Sequence, residues 1–337
     1  MALFRLVAIR LLTTGITLAG VAVIVFFVIR VVPGNPIAMM LPPGATEADI
    51  ARLSALYGLD KPLVTQFGIW LVGVVLQGDF GTSITARQPV LELVLGRLPA
   101  TLELSIMALV IAIFLGGMSA LIGTRGRGRR TEGAIDVANG VALSVPDFLW
   151  GLVLMLLFGV LFPVFHISGR VTPSLDLPFV TDFYLFESLL RLRFDLWADL
   201  VAHMFMPALA LAIPLAAIIG QLLKQSLKET MNLDYVTLAR TKGYGETHVI
   251  LHEALRNAVL PTLTLVGVQF TFLIGGTVII ERLFSYEGLG NMAIDAVINR
   301  DLPLIQGIVI LFAVIFTAVN LIVDLLYAVL NPRLRHA

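Results

Sequence analysis

At 337 residues, 58% of them hydrophobic and 14% charged, the chain has a mean hydropathy of +0.93, far more apolar than a water-soluble domain can bury. Its 23 Lys/Arg balance 23 Asp/Glu, so there is no basic excess to bind nucleic acid. The absence of cysteine excludes disulfides and thiolate metal sites.

A helix needs about 20 predominantly apolar residues to cross a bilayer. Five uncharged runs meet that requirement: Leu11 to Ile29, Leu104 to Gly123, Met204 to Leu223, Asn257 to Ile280 and Leu304 to Val323. A sixth, from Ala134 to Pro163, carries Asp136 near its start and Pro146-Asp147 inside it, and is expected to be a kinked span. The expected order is a terminus 1–10, spans 11–32, 100–123, 134–163, 203–223, 257–280 and 304–328, connecting segments between them, and a terminus 329–337. Arg5 and Arg10 precede the first run, but no small-residue cleavage site follows it, so it reads as a retained helix and not a secretory signal.

In the 33–99 connection, Thr46 to Tyr57 reads as a short helix with Thr46 as N-cap, Asp49 in its first turn and Gly58 after it. Pro62 then opens an apolar stretch with Phe67, Trp70, Leu71 and Val74, suited to a helix lying at the membrane interface. The 164–202 connection has no clear periodicity and suggests no site. In the 224–256 connection, Asn232 or Asp234 can cap a helix carrying Tyr235, Leu238 and Ala239 on one face. Arg240 and Lys242 lie in its last turn, with Gly243 just past it. A second helical stretch follows from about Thr247, with Ile250, Leu251, Ala254 and Leu255 on its apolar side. A helix–Gly–helix element of this kind is suited to docking a partner. Gly288-Leu289-Gly290 reads as a turn leading into a re-entrant or interfacial segment, Ser285 to Arg300, at the outer mouth.

Orientation follows from the basic residues. The two termini and the 124–133 and 224–256 loops hold thirteen Lys/Arg against six Asp/Glu, counting Asp136 at the head of the third span. The much longer intervening loops hold ten against fifteen. Arg125, Arg127, Arg129 and Arg130 are the densest basic cluster, and both termini are expected in the cytoplasm.

As a string, Asp234-Tyr235, Ala239-Arg240-Thr241-Lys242-Gly243, Leu255-Arg256-Asn257-Ala258 and Leu260-Pro261 resembles the cytoplasmic signature loop of binding-protein-dependent ABC importer permeases, in the dipeptide/oligopeptide/nickel branch. Val32-Pro33-Gly34-Asn35-Pro36, Gly58-Leu59-Asp60-Lys61-Pro62, Gly78-Asp79-Phe80-Gly81, Pro99 to Leu104, Phe284 to Gly290 and Asn331-Pro332-Arg333 agree with it. Thr237 and Leu238 stand where the broader family has Glu and Ala, and Pro261 comes later than in sugar-type permeases; both departures are those of the peptide branch.

The resemblance implies an all-α, six-helix polytopic permease of the type I ABC importer fold in the bacterial inner membrane, working by alternating access. It implies a second, homologous permease subunit, two ATPase subunits that carry ATP and Mg, and an extracytoplasmic solute-binding protein. It also makes the helix around Tyr235 to Lys242 a coupling helix for one ATPase subunit, with Arg256, Asn257 and Pro261 in the second half of that loop. A short peptide is the expected substrate, with nickel chelates, glutathione and opine-like solutes as alternatives.

Other chemistry finds little support. A phosphate-binding loop ends in Lys-Ser or Lys-Thr, and none of Lys61, Lys224, Lys228 and Lys242 stands in one, so no catalytic residue or bound cofactor is expected. His248 and His252 are four apart, but Glu253 follows the second, so the zincin pattern is missing and no metal is expected there. Asp324 lies near Arg333 and Arg335, which suits an interfacial structural role. Asp147, after Pro146, and Gln269 in the fifth span are the candidate pathway or gate residues. An ion-coupled secondary carrier would use such acids as a relay, but has no need of the basic helix–Gly–helix loop.

Overall fold

A computed structural model describes residues 2–31, 46, 61–126, 128–175 and 179–330. Thr46 apart, the short helix expected up to Tyr57 lies outside the described residues, as do Arg127, Asp176 and the 331–337 tail. The chain forms two compact units, one from residues 1–98 with 292–318 and one from 99–291 with 319–337.

In the first unit, α1 (Ala2–Val31) meets α2 (Leu63–Gln77), which starts directly after Pro62. The contact is aromatic: buried Phe26 lies edge-on to Phe67 at 5.2 Å and against Trp70 at 5.4 Å. The buried Asp301 caps α11 (Leu302–Leu330), its Oδ1 accepting from the Leu304 amide at 3.3 Å. Its Oδ2 accepts from the Ser83 hydroxyl at 2.6 Å and the Thr85 amide at 2.9 Å, which fixes the turn before α3 (Val90–Arg125).

The second unit is organised around α7 (Phe194–Thr230), which is far more buried than α3 or α9 (Glu246–Leu283). Ala208, Ala210, Ala212, Ala216 and Gly220 keep α7 thin enough for neighbours to approach. A Cβ on Gly116 would sit 2.6 Å from the Ala216 carbonyl oxygen, so α3 and α7 meet backbone to backbone. By contrast, a Cβ on Gly117, Gly275 or Gly276 would meet nothing within 4 Å beyond its own stretch of helix among the described residues.

The stretch expected as a kinked third span is two helices, α4 (Arg130–Ser144) and α5 (Asp147–Leu161), set at 101°. Val145 is extended, as a residue before proline prefers to be, and Pro146 cannot supply the amide that would continue α4. Among the described residues, five helices are long and apolar enough to cross a membrane, or six if the bent pair is one span. Several overrun the apolar runs, α3 starting at Val90, α7 at Phe194 and α9 at Glu246, and they continue through proline: Pro99 in α3, Pro207 and Pro214 in α7, and Pro261 in α9. Backbone in hydrocarbon must satisfy its own hydrogen bonds, so a helix that loses one bond at proline still continues.

Two buried carboxylates organise the Leu283 end of this unit. Glu103 accepts from Arg170 Nη2 at 2.8 Å and from the Leu185 amide at 2.8 Å, which holds α6 (Tyr184–Leu190) and gives the apparently patternless 164–202 stretch its anchor. In α6 itself, Glu187 accepts from the Thr181 hydroxyl and from the Val180 and Thr181 amides. The Thr181 hydroxyl bond, followed by those amides, holds its carboxyl down at about 2. That turn therefore gains stability above the ordinary carboxylate range and loses it only as pH falls toward 2.

Glu281, fully buried, accepts from the Thr101 hydroxyl at 2.7 Å and the Asn291 amide at 3.0 Å, while Thr101 Oγ1 accepts from the Leu289 amide at 2.8 Å. The carboxylate thus sits at the N-terminus of α10 (Leu289–Ile298), where the helix dipole favours it. This corrects the turn reading of Gly288 and Gly290. Neither has positive φ; Ser285 does, at 47°. The glycines are there because a Cβ on Gly288 would overlap the Glu281 carboxylate and one on Gly290 would lie 2.5 Å from Val278 Cα. Gly288→Ala should cost about 1–3 kcal/mol through overpacking, while Ser285→Gly should be neutral or stabilising. Thermal unfolding in detergent checks both, and a Gly288→Ala melting point equal to wild type would refute the close-approach explanation.

Candidate functional site

The segment between α7 and α9 is a compact helical loop with its own core. α8 runs from Asp234 to Thr241, and Val236 and Ala239 on one face are buried with Leu227, Met231, Val249, Ile250, Ala254 and Ala258. The N-cap is Leu233, whose side chain makes no capping bond; neither Asn232 nor Asp234 fills that position. Asp234 instead supplies the acidic first turn. At the other end, the Tyr244 amide donates to the Ala239 carbonyl at 3.4 Å and the Gly243 amide to Arg240 at 3.0 Å. Gly243 has φ 84°, and this pair of bonds closes the helix in the left-handed glycine motif that only a residue without Cβ adopts at no cost.

The sequence-derived residues divide into two groups. Tyr235, Leu238 and Lys242 are exposed, as are Leu233 and Tyr244 beside them, so α8 shows an apolar strip to solvent. Arg240 is exposed as well, but its guanidinium bonds back to the loop. Its Nη2 donates to Glu246 Oε1 at 2.8 Å and its Nη1 to the Met231 carbonyl at 3.3 Å, stapling α8 to both flanking helices. Tyr235 Oη accepts from Asn257 Nδ2 at 2.7 Å and so ties α8 to α9 a second time. Arg256 and Pro261 are exposed on α9. Charge reversal at Arg240 would therefore also remove this staple, and Lys242 is the cleaner position to probe a partner.

Two features escaped the sequence reading. Val236, three residues before Ala239, is the buried anchor of α8, whereas Tyr235 and Leu238 are not; the i, i+3 spacing was available to find it. Lys224, only 8% exposed, reaches Asp136 and lies 3.8 Å from Glu132, which also pairs with Lys228. These pairs join α4 to the end of α7 beside the loop core, and an acid near the head of an apolar run was the available signal.

Asp147 and Gln269 are not brought to this loop. Asp147 opens α5 and accepts from the Phe148 amide at 2.7 Å, a local helix-start role, and Gln269 is half-buried on α9. Asp324 is half-buried on α11, with Arg333 and Arg335 outside the described residues.

Residues 108–336 match the sequence model of a family described as the binding-protein-dependent transport system inner membrane component, and residues 3–105 match the model of its N-terminal part. The chain belongs to that family. Among its relatives, the di/tripeptide transport system permease protein DppB of Pseudomonas aeruginosa is 36% identical over 95% of both chains. The glutathione transport system permease protein GsiC of Salmonella choleraesuis is 35% identical over 97% of both. A crystal structure of an amino acid ABC transporter with histidines aligns with 70% of this chain and 93% of that one, at 16% identity and a TM-score of 0.48. As a binding-protein-dependent inner membrane component, the chain is an integral membrane transport subunit, and its family implies ATPase and solute-binding partners.

Proposed function

We propose that this chain is the membrane-spanning subunit that carries short peptides inward through a binding-protein-dependent importer, paired with a second homologous permease subunit and driven by separate ATPase subunits. The observation that carries the reading is α8: a short helix pinned to its own chain by Val236, Ala239 and Arg240, yet presenting Leu233, Tyr235 and Leu238 to solvent. An apolar strip on a rigid mount is suited to a groove on a partner. In this reading α8 transmits closure of the ATPase dimer to the permease, ATP and Mg are held by the partners, and this chain catalyses nothing. The similarity to di/tripeptide and glutathione permeases supports short peptides as the substrate class, glutathione being itself a modified tripeptide.

Single cysteines at the exposed Thr237 and Thr241 test the docking in a chain that has no native cysteine. They should crosslink to an ATPase subunit, with a yield that changes when ATP is trapped. Uptake by this chain alone, driven by an ion gradient and indifferent to ATP, would replace the reading with a secondary carrier. The Lys/Arg distribution further supports a reading in which both termini and the α8 loop face the cytoplasm and the chain has six spans. Reporter fusions after Arg130 and Lys228 should then report cytoplasm and one near Asp176 the outside; an outside signal after Arg130 would overturn that orientation.

A further inference from the structure

We propose that His166, Asp199 and His203 form a binding site for one divalent transition-metal ion of the zinc class, joining the segment after α5 to the first turns of α7. One donor atom from each residue lies within 4.8 Å of the others. Asp199 and His203 are four apart and so share a face of α7, while His166 comes from a different stretch of chain. This is the arrangement in which a metal ties two elements together.

The protonation pattern suits a ligand. His203 is 4% exposed, and its Nδ1 lies 2.8 Å from the Asp199 carbonyl oxygen. A carbonyl only accepts, so Nδ1 carries the hydrogen and Nε2 keeps the lone pair a metal needs. The Asp199 carboxylate is held by the Thr172 hydroxyl at 2.7 Å and the Thr172 amide at 2.9 Å, the kind of outer support that orients a metal-ligating group. Asp199 Oδ2 also lies 3.5 Å from His203 Nδ1.

The two imidazole rings are stacked, 3.9 Å apart and 5° from parallel. Parallel rings do not aim their in-plane lone pairs at one point, so one ring must turn. It is His166, which is exposed, whereas His203 is buried and held. Tetrahedral zinc, with bonds of about 2.0–2.2 Å, places its donors roughly 3.4 Å apart. The contraction required is on the order of 1 Å, within the swing of one side chain. Two nitrogens and a carboxylate oxygen, with a water in the fourth position, suit zinc or nickel and not calcium or magnesium, which take all-oxygen shells. His248 and His252 are also stacked, at 4.4 Å, but no acid completes a third-ligand group there among the described residues.

The test uses the full chain, purified in detergent with its partner subunits where they are needed, stripped with chelator and titrated with zinc chloride alone. Calorimetry and metal analysis should find one zinc per chain, together with a raised melting temperature. His166→Ala, at an exposed position that does not threaten folding, should abolish this binding. Thr172→Val should weaken it about tenfold through loss of the hydroxyl that orients Asp199, and His248→Gln with His252→Gln should leave it unchanged. Absence of zinc binding, unaltered affinity in His166→Ala, or loss only in the His248/His252 variant would each overturn the site.

Discussion

Gly243→Pro is expected to abolish peptide uptake while leaving the subunit in the membrane. At φ 84° Gly243 occupies a conformation that the proline ring, fixed near −65°, cannot adopt, and its amide donates to the Arg240 carbonyl at 3.0 Å. Proline removes that bond and forces the end of α8 to refold, at a cost of about 3 kcal/mol or more. The damage is confined to the last turn of α8 and the Arg240–Glu246 staple, because Val236 and Ala239 anchor the helix from its other face. The ATPase should still hydrolyse ATP in the assembled complex but no longer couple it to uptake. Transport assays in proteoliposomes beside ATPase assays on the same preparation check this, and wild-type uptake in Gly243→Pro would remove α8 as the coupling element. Lys242→Glu, at an exposed position whose side chain has no partner among the described residues, should reduce coupling without disturbing the loop.

Arg170→Met is expected to be the most destabilising single change at the other end of the unit. Arg170 and Glu103 are both 6% exposed, and the same guanidinium donates to the Asp182 carbonyl at 2.6 Å and lies 4.0 Å over the Tyr184 ring. Methionine fills the volume but leaves the Glu103 carboxylate buried without its cation, a loss of about 3–5 kcal/mol. Adding Glu103→Gln should recover a large part of it, since the uncompensated charge is then gone. Melting curves of the single and double variants in detergent decide the matter. If Arg170→Met alone melts like the parent, the pair does not hold the 164–202 segment.

What the sequence makes legible here follows the range of the forces involved. Lipid demands long uncharged runs, so Leu11 to Ile29 or Leu304 to Val323 announce themselves locally. A glycine after a basic helix end announces the stop at Gly243 in the same way. Buried polar contacts do not: Glu103 finds Arg170 at a separation of 67 residues, and Thr101 finds Glu281 at 180. Nothing local distinguishes Glu281 from an exposed acid, and the flanking glycines read as turn formers until the carboxylate they make room for is seen. Helix ends were misjudged for a related reason. Pro99 looks like a boundary, but tertiary packing and the lack of water carry α3 past it to Val90. His166 could not be joined to Asp199 and His203 from sequence, although the i, i+4 pair on α7 was visible.

One consequence of α9 is mechanical. Its 38 residues run unbroken from Glu246, beside the Arg240 staple, to Leu283, and at about 1.5 Å per residue that is a rod of roughly 57 Å. Near one end Asn257 grips Tyr235; near the other, Glu281 holds the amide of Asn291 and the hydroxyl of Thr101. The backbone ladder of the rod is interrupted at the wide turns of Val249–Ala254 and at the missing amide of Pro261, both close to the α8 end. Beyond Pro261 the helix is continuous to Leu283, so a tilt imposed at α8 is carried toward the first turn of α10 over a lever arm longer than a typical bilayer core is thick.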